Sequence, residues 1–135
     1  MESLGPMQAR VRAAAPGPGS AAVLRAETAL EELLSNSVVH GGAARRPDAC
    51  VWLGVRASAQ ALTLRFEDML PAFDPQPKIA EAMQRTTHPM DQRPLGGLGL
   101  LMVYRLADEF HYVRENGRNC MELSFRAVRG ADQPA

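Results

Sequence analysis

The run Val51-Trp52-Leu53-Gly54-Val55-Arg56, followed closely by Leu62-Thr63-Leu64-Arg65-Phe66-Glu67-Asp68, decides the architecture. Val51, Leu53 and Val55 alternate with Trp52, Gly54 and Arg56, and Leu62, Leu64 and Phe66 alternate with Thr63, Arg65 and Glu67. Period two marks a strand with one buried face, so the two runs predict an antiparallel hairpin turning near Ser58–Gln60. Asp68 shares the parity of Leu62, Leu64 and Phe66. Its carboxylate is therefore expected on the buried side, just where the strand ends. There it either accepts a hydrogen bond from an amino group, such as that of adenine, or opens a turn before Pro71.

Upstream, Val23, Ala26, Leu30, Leu33, Leu34 and Val38 recur at helical spacing and predict a long helix over Ala21–His40, which Gly41-Gly42 ends. Ser20 suits its N-cap. Pro16-Gly17-Pro18-Gly19 must break any short helix formed by Pro6–Ala14. Downstream, a proline-rich loop runs from Pro71 to Pro94 with a helix over Lys78–Arg85; a connection this long is usually a lid or binding loop. Gly96-Gly97-Leu98-Gly99 leads into a second buried helix over Leu100–Ala107. The strands Glu109–Arg114 and Asn119–Val128 then flank Asn116-Gly117, a dipeptide suited to the positive φ of a tight hairpin turn. Residues Gly130–Ala135 read as a disordered tail. This order predicts one α/β (α+β) domain over 1–135, a two-layer sandwich. Its sheet is mixed and mostly antiparallel, with helices on one face.

Composition limits the function. The chain has 135 residues, of which 46% are hydrophobic but only 5% aromatic, so aliphatic and alanine packing must fill the core. Lys and Arg number 15, as do Asp and Glu, which argues against direct nucleic-acid binding, since that needs a basic footprint. No segment approaches the ~20 apolar residues of a membrane span, and Met1–Ala15 has no signal-like apolar run. Cys50 and Cys120 lie in strand-like runs without a Cys-x-x-Cys pair. They are expected as reduced core thiols in a cytoplasmic protein.

Three groups of residues carry candidate chemistry. Glu32, Asn36 and His40 form one stripe on the long helix. An amide oxygen one turn from a carboxylate can hold Mg²⁺ while the carboxylate activates a hydroxyl, because Mg²⁺ takes few protein ligands when phosphates supply the others. The same stripe also suits the solvated flank of an amphipathic helix. Asp68 is the second group. The third is the Gly96–Gly99 turn, whose backbone N–H groups at a helix start can cradle an anion, or which is a plain loop. It lacks the Lys-Ser/Thr ending of a Walker loop and the framing of a Rossmann turn.

In this order the three groups resemble the nucleotide-binding boxes of the GHKL (Bergerat-fold, histidine kinase-like) ATPase superfamily, and within it the small anti-sigma factor serine/threonine kinases of bacteria. The residues carrying the resemblance are Glu31–Gly41, Phe66-Glu67-Asp68 with Pro71–Pro75, Arg93–Leu100 and Arg105–Glu109, within a similarity running from Ala21 to Arg126. The resemblance implies a Bergerat-type ATP-binding fold with Glu32 as general base. Asn36 would be the Mg²⁺ ligand, Asp68 the acceptor for the adenine amino group, and Phe73 a further nucleotide contact. Gly96, Gly97, Leu98, Gly99 and Leu100 would wrap the phosphates, His40 would play a supporting role, and 76–95 would form the ATP lid.

It further implies ATP and Mg²⁺ as cofactors and two protein partners: an anti-sigma antagonist that accepts phosphate, and a sigma factor that the kinase silences. It admits a homodimer. The chain departs from the family pattern at Leu70, where the middle box has glycine, and at Ala72, where proline is frequent. If the backbone at Leu70 needs positive φ, leucine costs ~1–2 kcal/mol there, and its side chain would enter the pocket. The alternative function is therefore a nucleotide-binding module that regulates by protein binding alone. A detached sensor-histidine-kinase ATPase domain fits less well, since no histidine-bearing helical segment precedes the domain.

Overall fold

A computed structural model describes residues 4–14, 21–39, 50–85 and 98–127. The elements are α1 (Leu4–Ala14), α2 (Ala21–Val39), β1 (Val51–Ala57), β2 (Ala61–Asp68), α3 (Gln76–Arg85), α4 (Leu98–Leu106), β3 (Glu109–Glu115) and β4 (Arg118–Arg126). The strands form one sheet of order β1-β2-β4-β3, antiparallel throughout the described residues. The expected hairpins are both present, and they join side by side through β4 pairing with β2. Asp68 stands opposite Asn119 as a result.

Alternation sorts the sheet into two faces. Leu53, Leu62, Leu64, Phe66, Met121, Leu123 and Phe125 point to the covered side and are buried. Against them lie Val23, Ala26, Leu30 and Leu33 of α2 and Leu101 and Val103 of α4, with Met7 and Val11 of α1 closing the β1 side. Arg10 of α1 donates to the carbonyl of Leu53 (2.7 Å), occupying a backbone acceptor of edge strand β1. Arg12 pairs with Glu27, joining α1 to α2.

Several boundaries differ from the sequence reading for local reasons. Helix α3 begins two residues earlier than expected because Asp74 Oδ1 accepts the N–H of Gln76 (2.9 Å), and prolines are tolerated in a first turn. Helix α4 spans Leu98–Leu106 rather than Leu100–Ala107, and β4 spans Arg118–Arg126 rather than Asn119–Val128. The turn between β3 and β4 has φ 52° at Asn116 and 74° at Gly117, both positive as the dipeptide suggested. Ser20, His40, Gly41-Gly42, Gly96, Gly97, the tail and the 86–95 part of the expected lid lie outside the described residues. Among the described residues no helix is long and apolar enough to cross a membrane.

The uncovered face of the sheet is a lattice of charges. Arg65 meets Glu115 (3.0 Å), Glu67 (3.5 Å) and Glu122 (3.6 Å), and Arg118 lies over the Trp52 ring, 3.6 Å from its centre. Exposed pairs of this kind contribute little each, ~0–1 kcal/mol. Cys120 sits beneath the lattice with 2% of its surface exposed, and its thiol donates to Glu67 Oε1 (3.1 Å). Cys50 corrects the expectation of two core thiols: it precedes β1 and is exposed.

Burial, then the hydrogen bond to Glu67 and that carboxylate's charge, push the Cys120 thiol above its ordinary pKa. The unfolded chain therefore releases this proton first. The stability linked to it is complete below the ordinary thiol range and is lost as pH climbs through the raised value. At pH 8, iodoacetamide is expected to label Cys50 and spare Cys120 in folded protein, with both labelled in urea. Equal labelling of the two in native protein, read by mass spectrometry, would contradict this packing.

Candidate functional site

At the end of the sheet where β2 stops and β4 begins, a hollow of about 180 Å³ opens between the layers. Its walls come from separate elements: Asn36 and Ser37 from α2, Asp68 from β2, Leu70 and Phe73 from the loop after it, and Asn119 from β4. Asn36 and Asp68, candidates from different boxes of the sequence, thus share one cavity.

Asp68 is only 6% exposed, and a carboxylate so buried persists only where donors surround it. Its Oδ1 accepts the N–H of Leu70 (3.2 Å) and the Nδ2–H of Asn119 (2.8 Å), and its Oδ2 accepts the hydroxyl of Ser37 (3.1 Å). A carboxylate offers about four acceptor positions. Among the described residues Oδ1 is thereby filled and one position on Oδ2 is left over. Such a position accepts from any N–H or O–H donor, an amino group among them.

Glu32 lies one turn before Asn36 on α2 and faces α4. The two helices run antiparallel, with Arg25 donating to the carbonyl of Leu106 (3.0 Å) at one end and Glu32 lying against Gly99 at the other. A Cβ placed on Gly99 would stand 2.5 Å from Glu32 Oε2, so a side chain there would push the Glu32 carboxylate aside. The first turn of α4, with Leu98 exposed and Leu100 buried, therefore sits beside the Glu32 carboxylate. Its leading N–H groups have no partner within the helix, which favours an anion there. Phe73, about one-third exposed, lines the lip of the hollow. His40, Gly96 and Gly97 fall outside the described residues.

Leu70 does not adopt the strained backbone considered above, since Asn116 is the one non-glycine with positive φ among the described residues. Its N–H instead closes a turn onto Asp68 Oδ1, and its side chain is buried in the wall of the hollow.

Sequence reasoning missed Ser37, Tyr112 and Asn119. Asn119 donates to the carbonyls of Leu70 (3.3 Å) and Pro71 (3.0 Å) as well as to Asp68, while its Oδ1 accepts Phe73 N–H (3.0 Å) and the Tyr112 hydroxyl (2.7 Å). The signal that found Asp68 was available here too, because Asn119 shares the inward parity of Met121, Leu123 and Phe125. Ser37 had only its place next to Asn36 to recommend it.

The sequence-family model of the histidine kinase-like ATPase domain matches residues 1–125. No curated relative matches the chain.

Ser37→Ala strips Oδ2 of its protein donor and is expected to lower unfolding stability by about 1–3 kcal/mol, the cost of an unsatisfied buried acceptor. Ser35→Ala, exposed on the same helix, should stay within about 0.5 kcal/mol. Urea denaturation of the two variants checks this; equal effects would mean the Ser37–Asp68 bond carries no weight.

Proposed function

The chain belongs to the histidine kinase-like ATPase domain family, and hence to the GHKL superfamily, and we propose that it is a Mg²⁺-ATP-dependent serine/threonine protein kinase. The observation that carries the reading is the convergence of Asn36 and Asp68 on one hollow, with Glu32 a turn away against Gly99. The hollow is smaller than the ~300–1,000 Å³ of a whole-ligand pocket, so it suits a base alone. The open acceptor on Asp68 Oδ2 takes the adenine amino group. The triphosphate then extends along α2 towards the first turn of α4.

Asn36 suits Mg²⁺ as the single amide oxygen that a phosphate-bound ion needs. Bound there, the ion would supply neutralisation of the phosphate charge. Glu32 receives the proton of an acceptor hydroxyl as that oxygen bonds to the γ-phosphorus and ADP departs with the bridging oxygen's electrons. Holding these groups in line supplies most of the catalysis in such transfers. The likeness to anti-sigma factor kinases supplies the partners of this reading: a small antagonist bearing the acceptor serine or threonine and a sigma factor held in alternation with it, in the cytoplasm.

One observation favours a second reading, regulation by protein binding alone: the Leu70 side chain occupies wall space in the hollow, where family members have glycine. The two readings part on phosphate transfer. With Mg-ATP and its antagonist, wild-type protein is expected to transfer the γ-phosphate, and Glu32→Ala to abolish transfer while still binding ATP. Wild type that binds ATP yet labels no candidate antagonist supports the second reading.

Asp68→Ala is expected to weaken ATP binding about ten- to hundredfold, as loss of a hydrogen bond to a charged group does. Calorimetric titration with and without Mg²⁺ measures it, and unchanged affinity would remove Asp68 from the site.

A further inference from the structure

The side-chain amide of Asn119 is saturated. Its two N–H hydrogens serve three acceptors, Asp68 Oδ1, Leu70 O and Pro71 O, and its oxygen takes both Phe73 N–H and the Tyr112 hydroxyl. This pattern also fixes which way the amide faces. Turned over, it would set an N–H group against the Phe73 N–H and its oxygen against a carboxylate and two carbonyls. The residue is 3% exposed and lines the hollow, yet has no hydrogen-bonding capacity left to offer a ligand.

Apart from the Tyr112 hydroxyl, the hydrogen-bond partners of Asn119 all line the hollow. It fills Oδ1 of Asp68 together with Leu70 N–H, so the free acceptor falls on Oδ2. It also draws the carbonyls of Leu70 and Pro71 and the N–H of Phe73 onto β4, setting the path of 70–73. Arg114 holds the Leu70 carbonyl from the other side (2.8 Å). The rotation of Asp68 and the loop carrying Leu70 and Phe73 therefore share one anchor.

We propose that Asn119 is a positioning residue for base discrimination: it aims the free acceptor of Asp68 at the exocyclic amino group of a purine nucleotide without touching that nucleotide. The inference rests on the nucleotide reading above and adds to it the source of selectivity. Its signature is a loss of discrimination, distinct from a general loss of affinity. Without Asn119, Asp68 keeps only the Leu70 N–H and the Ser37 hydroxyl, Oδ1 regains an open position and the aim of Oδ2 is no longer fixed, so a base with an amino group gains little over one without.

The test compares ATP with purine riboside triphosphate, which lacks only the 6-amino group, by calorimetry on wild type, Asn119→Ala and Tyr112→Phe. Wild type is expected to favour ATP about ten- to hundredfold. In Asn119→Ala the preference should fall to within about threefold, while affinity for the deamino analogue changes less than affinity for ATP. Tyr112→Phe leaves the amide in place but frees one lone pair of its oxygen, and should reduce the preference part-way. If both variants lose affinity for the two nucleotides in proportion, keeping the preference, Asn119 is merely structural and the proposal falls while the nucleotide reading stands. Should Asn119→Ala fail to fold, Tyr112→Phe decides alone: a reduced preference supports the proposal and an unchanged one overturns it. Wild type that binds neither nucleotide overturns the nucleotide reading together with the inference, and wild type that binds both equally overturns the inference alone, since no amino group is then being read.

Discussion

A carboxylate with almost no access to water constrains the rest of this structure. Burying an ion without partners is prohibitive, so Asp68 can occupy its place only if donors arrive from every side at once. They come from α2 through Ser37, from the following loop through Leu70, and from β4 through Asn119. Each donor presupposes a larger feature: α2 lying over the sheet, the chain turning back sharply after β2, and β4 pairing with β2. Misplacing any one of the three leaves a buried charge short of a partner. The polar end of the sandwich thus specifies the same arrangement that the apolar core specifies by packing.

Helix α2 is held at its far end by a second polar junction. Arg25 donates to the Leu106 carbonyl, to Asp108 (3.1 Å) and to the Arg126 carbonyl (2.7 Å), and Asp108 Oδ2 in turn accepts Arg126 N–H (2.7 Å). Between Arg25 and Ser37 the helix contributes Leu30 and Leu33 to the core and presents Glu32 and Asn36 beside them. A helix fixed at two points along its length cannot slide or roll, so the spacing of Glu32 and Asn36 becomes a fixed distance along one wall. Rigidity of this kind suits groups that must meet a ligand in set positions.

Much of this was legible in the sequence, and the remainder was hidden for identifiable reasons. The two hairpins and the inward parity of Asp68 follow from alternation and turn chemistry, which are local. The pairing of β2 with β4 is set by side chains far apart in the chain, and no local pattern announces it. Asn119 was hidden for the same reason: its role exists only once Asp68 is its neighbour. Cys50 misled because an apolar run just after it looked like an extension of the strand, whereas β1 begins at Val51. Leu70 shows a different limit. The family's glycine suggested a backbone need, but this chain makes its turn with ordinary φ by closing the Leu70 N–H onto Asp68, and the leucine side chain serves as wall.

Trp52 is the one tryptophan of the chain, and it lies on the sheet face opposite the hollow, beneath the guanidinium of Arg118. Its emission therefore follows the local environment of the outer charge lattice and is blind to whatever fills the cleft on the other side. Selectively excited tryptophan emission is consequently an optical gauge of melting for this protein and a poor one of ligand occupancy.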